Sequence, residues 1–133
     1  MNPPPIILII DDDADDRELL IEALQDIDPS SDCLTAINGQ DGLVKLDTKS
    51  IPFPSLIFLD LNMPRIDGRK FLMHIKRDPN LSSIPVIIYT TSSNPNDIED
   101  MAQLGATDYL VKQFDYSILK EKLRNILSMV SST

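Results

Sequence analysis

Five short stretches of this chain are apolar at almost every position, and the segments between them repeat apolar residues every three or four. Ile6-Ile7-Leu8-Ile9-Ile10 contains no polar residue and is mostly β-branched, which fits a strand covered on both faces rather than one wetted on alternate residues. Leu56-Ile57-Phe58-Leu59, Val86-Ile87-Ile88-Tyr89 and Tyr109-Leu110-Val111 share that character, and Cys33 to Ile37 is a weaker version of it. The intervening stripes are helical: Leu20, Ala23, Leu24 and Ile27; Phe71, Leu72 and Ile75; Ile98, Met101 and Ala102; and Leu119, Leu123, Ile126, Leu127 and Val130, with a shorter helix over residues 39–46. Breakers punctuate the pattern, with Pro29 after the first helix, Pro52 and Pro54 before the third strand, Pro79 and Pro85 before the fourth, and Gly105 after the fourth helix. Five strand-then-helix units predict a parallel sheet with right-handed crossovers and helices on both faces, the open doubly wound α/β architecture.

The chain's 133 residues suit one domain. We place it at residues 6–130, between a proline-stiffened arm (1–5) and a short polar tail (131–133). A net charge of −9 disfavours nucleic-acid backbones and anionic membranes as partners unless some face is locally basic. The longest strictly apolar run is five residues, where a membrane span needs about 20. Cys33 stands alone, so it forms no internal disulfide and reads as a small buried hydrophobe. With no secretory signal legible at the N-terminus, the expected compartment is the reducing cytoplasm.

Ligands of open α/β sheets bind beyond the carboxyl ends of the strands. Strand one runs into Asp11-Asp12-Asp13, strand three into Asp60, strand four into Thr90-Thr91 and strand five into Lys112. If strands one and three are neighbours, Asp11, Asp12 and Asp60 converge on one crevice. Two carboxylates ~5 Å apart at an effective dielectric of ~20 repel by on the order of 3 kcal/mol. A hard divalent cation offsets that, and Mg2+ accepts one or two carboxylates while leaving room for waters and phosphate oxygens. Asp60 is then an ionised acid at the end of a buried strand, able to take a phosphoryl group covalently, with Lys112 and Thr90 placed to stabilise charge on the transferred group. Of the other acids, Asp13, Asp15 and Asp16 read as capping and dipole partners of the first helix. His74 reads as an exposed helix residue with no ligand role, and Tyr109, on pattern alone, as core.

Together these residues resemble the receiver domain of bacterial two-component response regulators. The matching pieces are the acidic pair Asp11-Asp12, Leu59-Asp60-Leu61-Asn62-Met63-Pro64 followed by Asp67-Gly68, Thr90 closing strand four, and Gly105-Ala106 before Tyr109-Leu110-Val111-Lys112, spanning Ile6 to about Leu127. The resemblance implies a flavodoxin-like five-stranded sheet of order 2-1-3-4-5. It also implies Asp60 as phosphoacceptor, Asp12 as direct Mg2+ ligand, Asp11 as an acid holding a metal-bound water, and the Asn62 backbone carbonyl as a further ligand. Thr90 becomes the switch hydroxyl, Lys112 the phosphoryl-binding cation and Tyr109 the ring that swings inward when Thr90 moves. The implied partner is a sensor histidine kinase or phosphotransfer protein. The implied output surface, and the face for a homodimer, is the fourth helix, fifth strand and fifth helix. Residues 65–92, with Arg77-Asp78-Pro79 and Thr90-Thr91-Ser92, further resemble single-domain regulators that partner phytochrome-type or hybrid kinases, so the signal is expected to leave by protein contact or phosphotransfer. Such a protein modifies itself and turns over no external substrate.

Two positions depart from the family. Gln113 follows Lys112 where the family usually has proline joined through a cis bond. A cis bond before a non-proline residue costs ~2.5–4 kcal/mol, so either a trans bond with a reshaped loop or a strained cis one is expected. The alternative function this leaves open is a phosphorylation-independent docking module of the same fold. A metal-dependent phosphatase with an aspartyl nucleophile is a third reading, but it calls for an acid two residues after the nucleophile, where this chain has Asn62. Thr91 stands where the family prefers a smaller residue, and its methyl group narrows access to Asp60. Thr91→Ala is therefore expected to accelerate phosphorylation by acetyl phosphate several-fold, and a rate equal to wild type contradicts this.

Overall fold

The computed structural model describes residues 4–63, 66–112 and 115–131. Strand and helix alternate along them: β1 (Ile6–Ile10), α1 (Ala14–Ile27), β2 (Asp32–Ala36), α2 (Gly39–Asp47), β3 (Leu56–Leu59), α3 (Gly68–Arg77), β4 (Val86–Thr90), α4 (Pro95–Gln103), β5 (Asp108–Val111) and α5 (Tyr116–Ser131). All pairings are parallel and the strand order is β2-β1-β3-β4-β5. Just before β1, the Pro5 carbonyl accepts from the Asp32 N–H at 2.9 Å.

The unbroken apolar character of the strands follows from their two covered faces. Leu8, Ile10, Ile57, Leu59, Val86 and Ile88 pack with Leu43, Leu46, Phe71, Leu72, Ile75 and Met101 of α2, α3 and α4. The alternate residues Ile7, Ile9, Leu56, Phe58, Ile87 and Tyr89 pack with Leu20, Ala23, Leu24, Leu119, Leu123 and Ile126 of α1 and α5. Each fully buried Leu or Ile contributes about 1.5–3 kcal/mol relative to exposure, which is what holds four crossovers and α5 on one sheet.

The stripe expected on α4 is thinner than the sequence suggests. Met101 is buried, but Ile98 is 39% exposed and Ala102 is exposed. The cause is position: α4 covers the edge of the sheet beside β5, where no further strand extends the surface it packs on. Its end is well defined nonetheless. The Ala106 N–H donates to the Met101 carbonyl and the Gly105 N–H to the Ala102 carbonyl, with Gly105 at φ +101°, a helix stop that a Cβ would strain. Among the described residues no helix is long and apolar enough to cross a membrane.

Cys33 is half-buried beside the α1/α5 layer rather than fully enclosed. Burial, helped by the neighbouring Asp32 charge, pushes its thiol up to about 11. A raised thiol value leaves little thiolate at pH 8, so iodoacetamide is expected to alkylate the native protein about a hundredfold more slowly than the urea-unfolded chain. Equal rates would show the thiol to be open to solvent.

Candidate metal centre

Backbone pairing assembles the site. Ile10 lies opposite Leu59, so the residues that follow leave the sheet together. The Asp60 N–H donates to the Ile10 carbonyl at 3.0 Å, and the Asp11 N–H to the Ala36 carbonyl at 3.2 Å. On the other flank Thr90 lies opposite Val111, and the Lys112 N–H donates to the Thr90 carbonyl at 2.7 Å. Asp11, Asp60, Thr90 and Lys112 thus reach one rim through strand register alone.

One oxygen from each of Asp11, Asp12 and Asp60 lies within 4.8 Å of the other two. Asp11 and Asp60 are buried, at 2% and 7% exposure, whereas Asp12 stands at the exposed lip. The Lys112 Nζ donates to Asp11 Oδ2 at 2.8 Å and lies 3.7 Å from Asp60 Oδ2. The fully buried Thr90 hydroxyl, which accepts from the Ser92 N–H at 3.5 Å, and the backbone N–H groups of Asn62 and Leu61 favour the charged form of Asp60. Asn62 itself sits exposed at the mouth, beside a cleft of about 310 Å³ that it lines with Leu61, Met63, Asp67, Arg69 and Asp97. Tyr109 is half-buried, and its hydroxyl donates to the Ser92 carbonyl at 2.8 Å. Asp11, Asp12, Asp60 and Lys112 are therefore close neighbours with Thr90 beside Asp60, while Tyr109 is tied to the loop after β4. The Lys112–Gln113 bond lies outside the described residues, as do Pro64 and Arg65.

The start of α3 presses directly on this rim. Asp67 caps the helix by accepting from the Lys70 N–H at 3.0 Å. A Cβ on Gly68 would lie 2.6 Å from the Asp60 carbonyl oxygen and 2.9 Å from the Leu61 Cα, so only glycine lets the helix approach the strand end.

The electrostatics are unbalanced. Burial raises Asp60 above its ordinary value of 3.8, although Lys112, Thr90 and the backbone donors pull it back. Burial likewise raises Asp11, against the pull of Lys112 and the Asp13 N–H. For Lys112, burial alone would favour the neutral amine, but its bonds to Asp11 and Asp16 and the Asp60 charge outweigh that and hold it above the usual lysine range. The lysine is charged and well satisfied, while the carboxylates share too little positive charge among them. The donor set is all hard oxygen, open at the Asp12 side and short of cationic charge. It suits a divalent ion of the Mg2+ or Mn2+ type, with no thiolate or imidazole in the cluster to favour zinc.

Sequence reasoning missed one member of the cluster. Asp16 does not serve only the helix start: its Oδ2 accepts from Lys112 Nζ at 2.7 Å. Asp13 is the N-cap, accepting from the Asp16 N–H at 3.1 Å, and Asp15 lies in the first turn, both as expected. The contact of Asp16 spans the fold from α1 to the end of β5, and no local pattern signals it. His74 is exposed, 3.7 Å from Asp47 and far from the rim.

An uncompensated buried acid costs stability, and a raised carboxyl value means that the folded state takes up its proton more readily than the unfolded chain. In EDTA at pH 7, Asp60→Asn is expected to raise the unfolding free energy by about 1–2 kcal/mol, visible as several degrees in Tm. The gain should shrink as pH falls through the raised value of Asp60 and vanish below 3.8, where the wild-type acid is protonated in both states. A destabilised variant at pH 7 contradicts the charge imbalance.

Comparison with known proteins agrees with this geometry. The response regulator Rcp1 of Synechocystis sp. is 34% identical over 131 residues, 96% of this chain and 89% of its own. The crystal structure of its Mn2+-bound form matches with a TM-score of 0.81, covering 94% of this chain and 93% of that one. The phosphorylated cyanobacterial phytochrome response regulator RcpA matches with a TM-score of 0.84 at 32% identity, covering 92% and 91%. A response regulator in red light signaling of R. palustris matches at 0.82 and 29% identity, covering 92% and 90%. The Asp11, Asp12 and Asp60 cluster corresponds to the divalent-metal site of receiver domains. The response regulator receiver domain model covers residues 7–124, so the chain belongs to that family, whose members phosphorylate and dephosphorylate themselves rather than act on an external substrate.

Proposed function

We propose that this chain is a phosphorylation switch in which Asp60 accepts the phosphoryl group, with the other rim residues divided between holding a cation and reading the modification. The observation that carries the reading is the convergence of Asp11, Asp12 and Asp60 within 4.8 Å, with Lys112 Nζ 3.7 Å from the Asp60 carboxylate. Asp12, Asp60 and the Asn62 backbone carbonyl would hold Mg2+, with Asp11 behind them, and the ion would supply charge neutralisation for the carboxylates and for phosphoryl oxygens.

Membership of the family implies a cognate histidine kinase as partner. In the transfer, an Asp60 Oδ forms the new P–O bond as the P–N bond to the donor phosphohistidine breaks. The bonding pair stays on the imidazole nitrogen, which takes a proton from solvent. Lys112 meets a phosphoryl oxygen as a point charge, from a distance it nearly spans already. The Thr90 hydroxyl, buried beside Asp60, donates to another phosphoryl oxygen and draws the loop after β4 inward. Tyr109 belongs to the same relay, because its hydroxyl is tied to Ser92, two residues beyond Thr90. The output is a changed face of α4, β5 and α5, which also serves for homodimer formation. Its α4 component is lightly anchored, with Met101 its one fully buried side chain and Ile98 exposed. For the donor we favour a phytochrome-type kinase, on the likeness to RcpA and to the red-light regulator of R. palustris.

The test is incubation with Mg2+ and acetyl phosphate, or with a phytochrome-type kinase and ATP, followed by intact mass measurement. One added phosphoryl group, absent in Asp60→Asn and lost from Lys112→Ala, is the expected result. No modification with either donor favours the docking module, and repeated release of phosphate from an exogenous ester favours the phosphatase.

A further inference from the structure

Asp16 occupies the third position of α1, three residues after the capping Asp13. An acid at that position commonly reaches back to the N–H of the cap residue. Here that N–H is already taken, since Asp13 donates to Asp11 Oδ1 at 2.9 Å. The Asp16 carboxylate turns instead to Lys112 Nζ at 2.7 Å. An ammonium has three hydrogens to place. Asp11 and Asp16 both engage it, the first with a side chain 2% exposed and the second with one 36% exposed. Asp60 Oδ2, at 3.7 Å, lies within ion-pair reach but beyond hydrogen-bond distance.

We propose that Asp16 is a positioning residue for Lys112: it anchors the ammonium from the solvent side and holds it short of Asp60, leaving the Asp60 carboxylate open. The inference rests on the reading of Asp60 as phosphoacceptor and cation ligand. Without Asp16, the nearest remaining acceptors for Nζ are Asp11 and Asp60, and a charge-assisted bond to Asp60 draws the lysine inward. That bond caps the nucleophilic oxygen and sets a fixed positive charge against any cation held by the same carboxylate. Gln113 makes the anchor more important, because no proline ring stiffens the chain after Lys112.

The experiment is a double-mutant cycle read by calorimetric titration of the EDTA-stripped protein with Mg2+, independent of phosphorylation. Asp16→Ala is expected to weaken Mg2+ binding about tenfold, the scale of losing a partner that orients a metal-site residue. In a Lys112→Ala background the same substitution should cost about twofold or less, because there is no ammonium left to misplace. Asp16→Glu should retain near-wild-type affinity, and Asp15→Ala, which removes a charge from the same helix turn, should leave it unchanged. Asp16→Asn, which keeps an oxygen acceptor, is measured alongside and should fall between wild type and alanine, so that a folding defect in the alanine variant does not decide the outcome. Equal losses with and without Lys112 would overturn the proposal by showing that Asp16 acts only as a distant charge, and so would an unchanged affinity in Asp16→Ala. A wild-type protein that binds no Mg2+ or is not modified on Asp60 would overturn the functional reading itself, and this inference with it.

Discussion

Parallel pairing of β1 with β3 obliges Asp11 and Asp60 to leave the sheet side by side, and both are buried where they do so. Asp12 and Asp16 add to the charge, and Lys112 is the ammonium set among them. An apolar sheet would gain nothing from such a cluster, since buried carboxylates in excess of their cationic partners disfavour the folded state. The deficit becomes useful only when positive charge comes from outside. A divalent ion restores the balance, and under the proposed function a phosphoryl group on Asp60 then adds negative charge beside the ion and Lys112. The metal site and the phosphoacceptor are thus two consequences of one register.

The route from that rim to the surface runs through partly solvated contacts. Thr90 ends β4, and two residues later Ser92 accepts from the Tyr109 hydroxyl through its carbonyl and donates through Oγ to Asp97 of α4 at 2.7 Å. Arg69 of α3 reaches the same Asp97 at 2.6 Å. The loop after β4 therefore touches α4 and β5 directly, and α3 only through Asp97, by side chains that solvent can reach. Contacts of this sort exchange at little cost, so under the proposed function a new hydrogen bond from Thr90 to a phosphoryl oxygen would meet weak opposition in drawing the loop inward. Meanwhile the two buried layers on either side of the sheet stay packed. The exchangeable contacts lie at the edge of the molecule where α4 buries only Met101.

Much of this was legible in the sequence because strands covered on both faces are apolar throughout, and a run of that kind ends visibly at its first charge. β1 and β3 were bounded to the residue, and the acids that follow them declared the site. The strand order came from the family resemblance, and pairing of β1 with β3 is what joins Asp11 to Asp60. Three features escaped. The α4 stripe seemed as good as any other, since periodicity reports amphipathic spacing and not how far the sheet extends beneath it. Cys33 reads as an enclosed residue in the sequence, yet β2 is an edge strand. Asp16 looked like a capping acid because its spacing from Asp13 fits that role, and its bond to Lys112 depends on tertiary closure across the sheet.

The central claim, that this rim is built around a divalent cation, is tested most directly by counting the ions it holds. Titration of the stripped protein with Mn2+, following loss of the free-ion signal by electron paramagnetic resonance, should give one saturable site per chain, displaced by Mg2+ and abolished in Asp12→Asn. Binding that never saturates at one equivalent, or that survives unchanged in Asp12→Asn, would contradict the account.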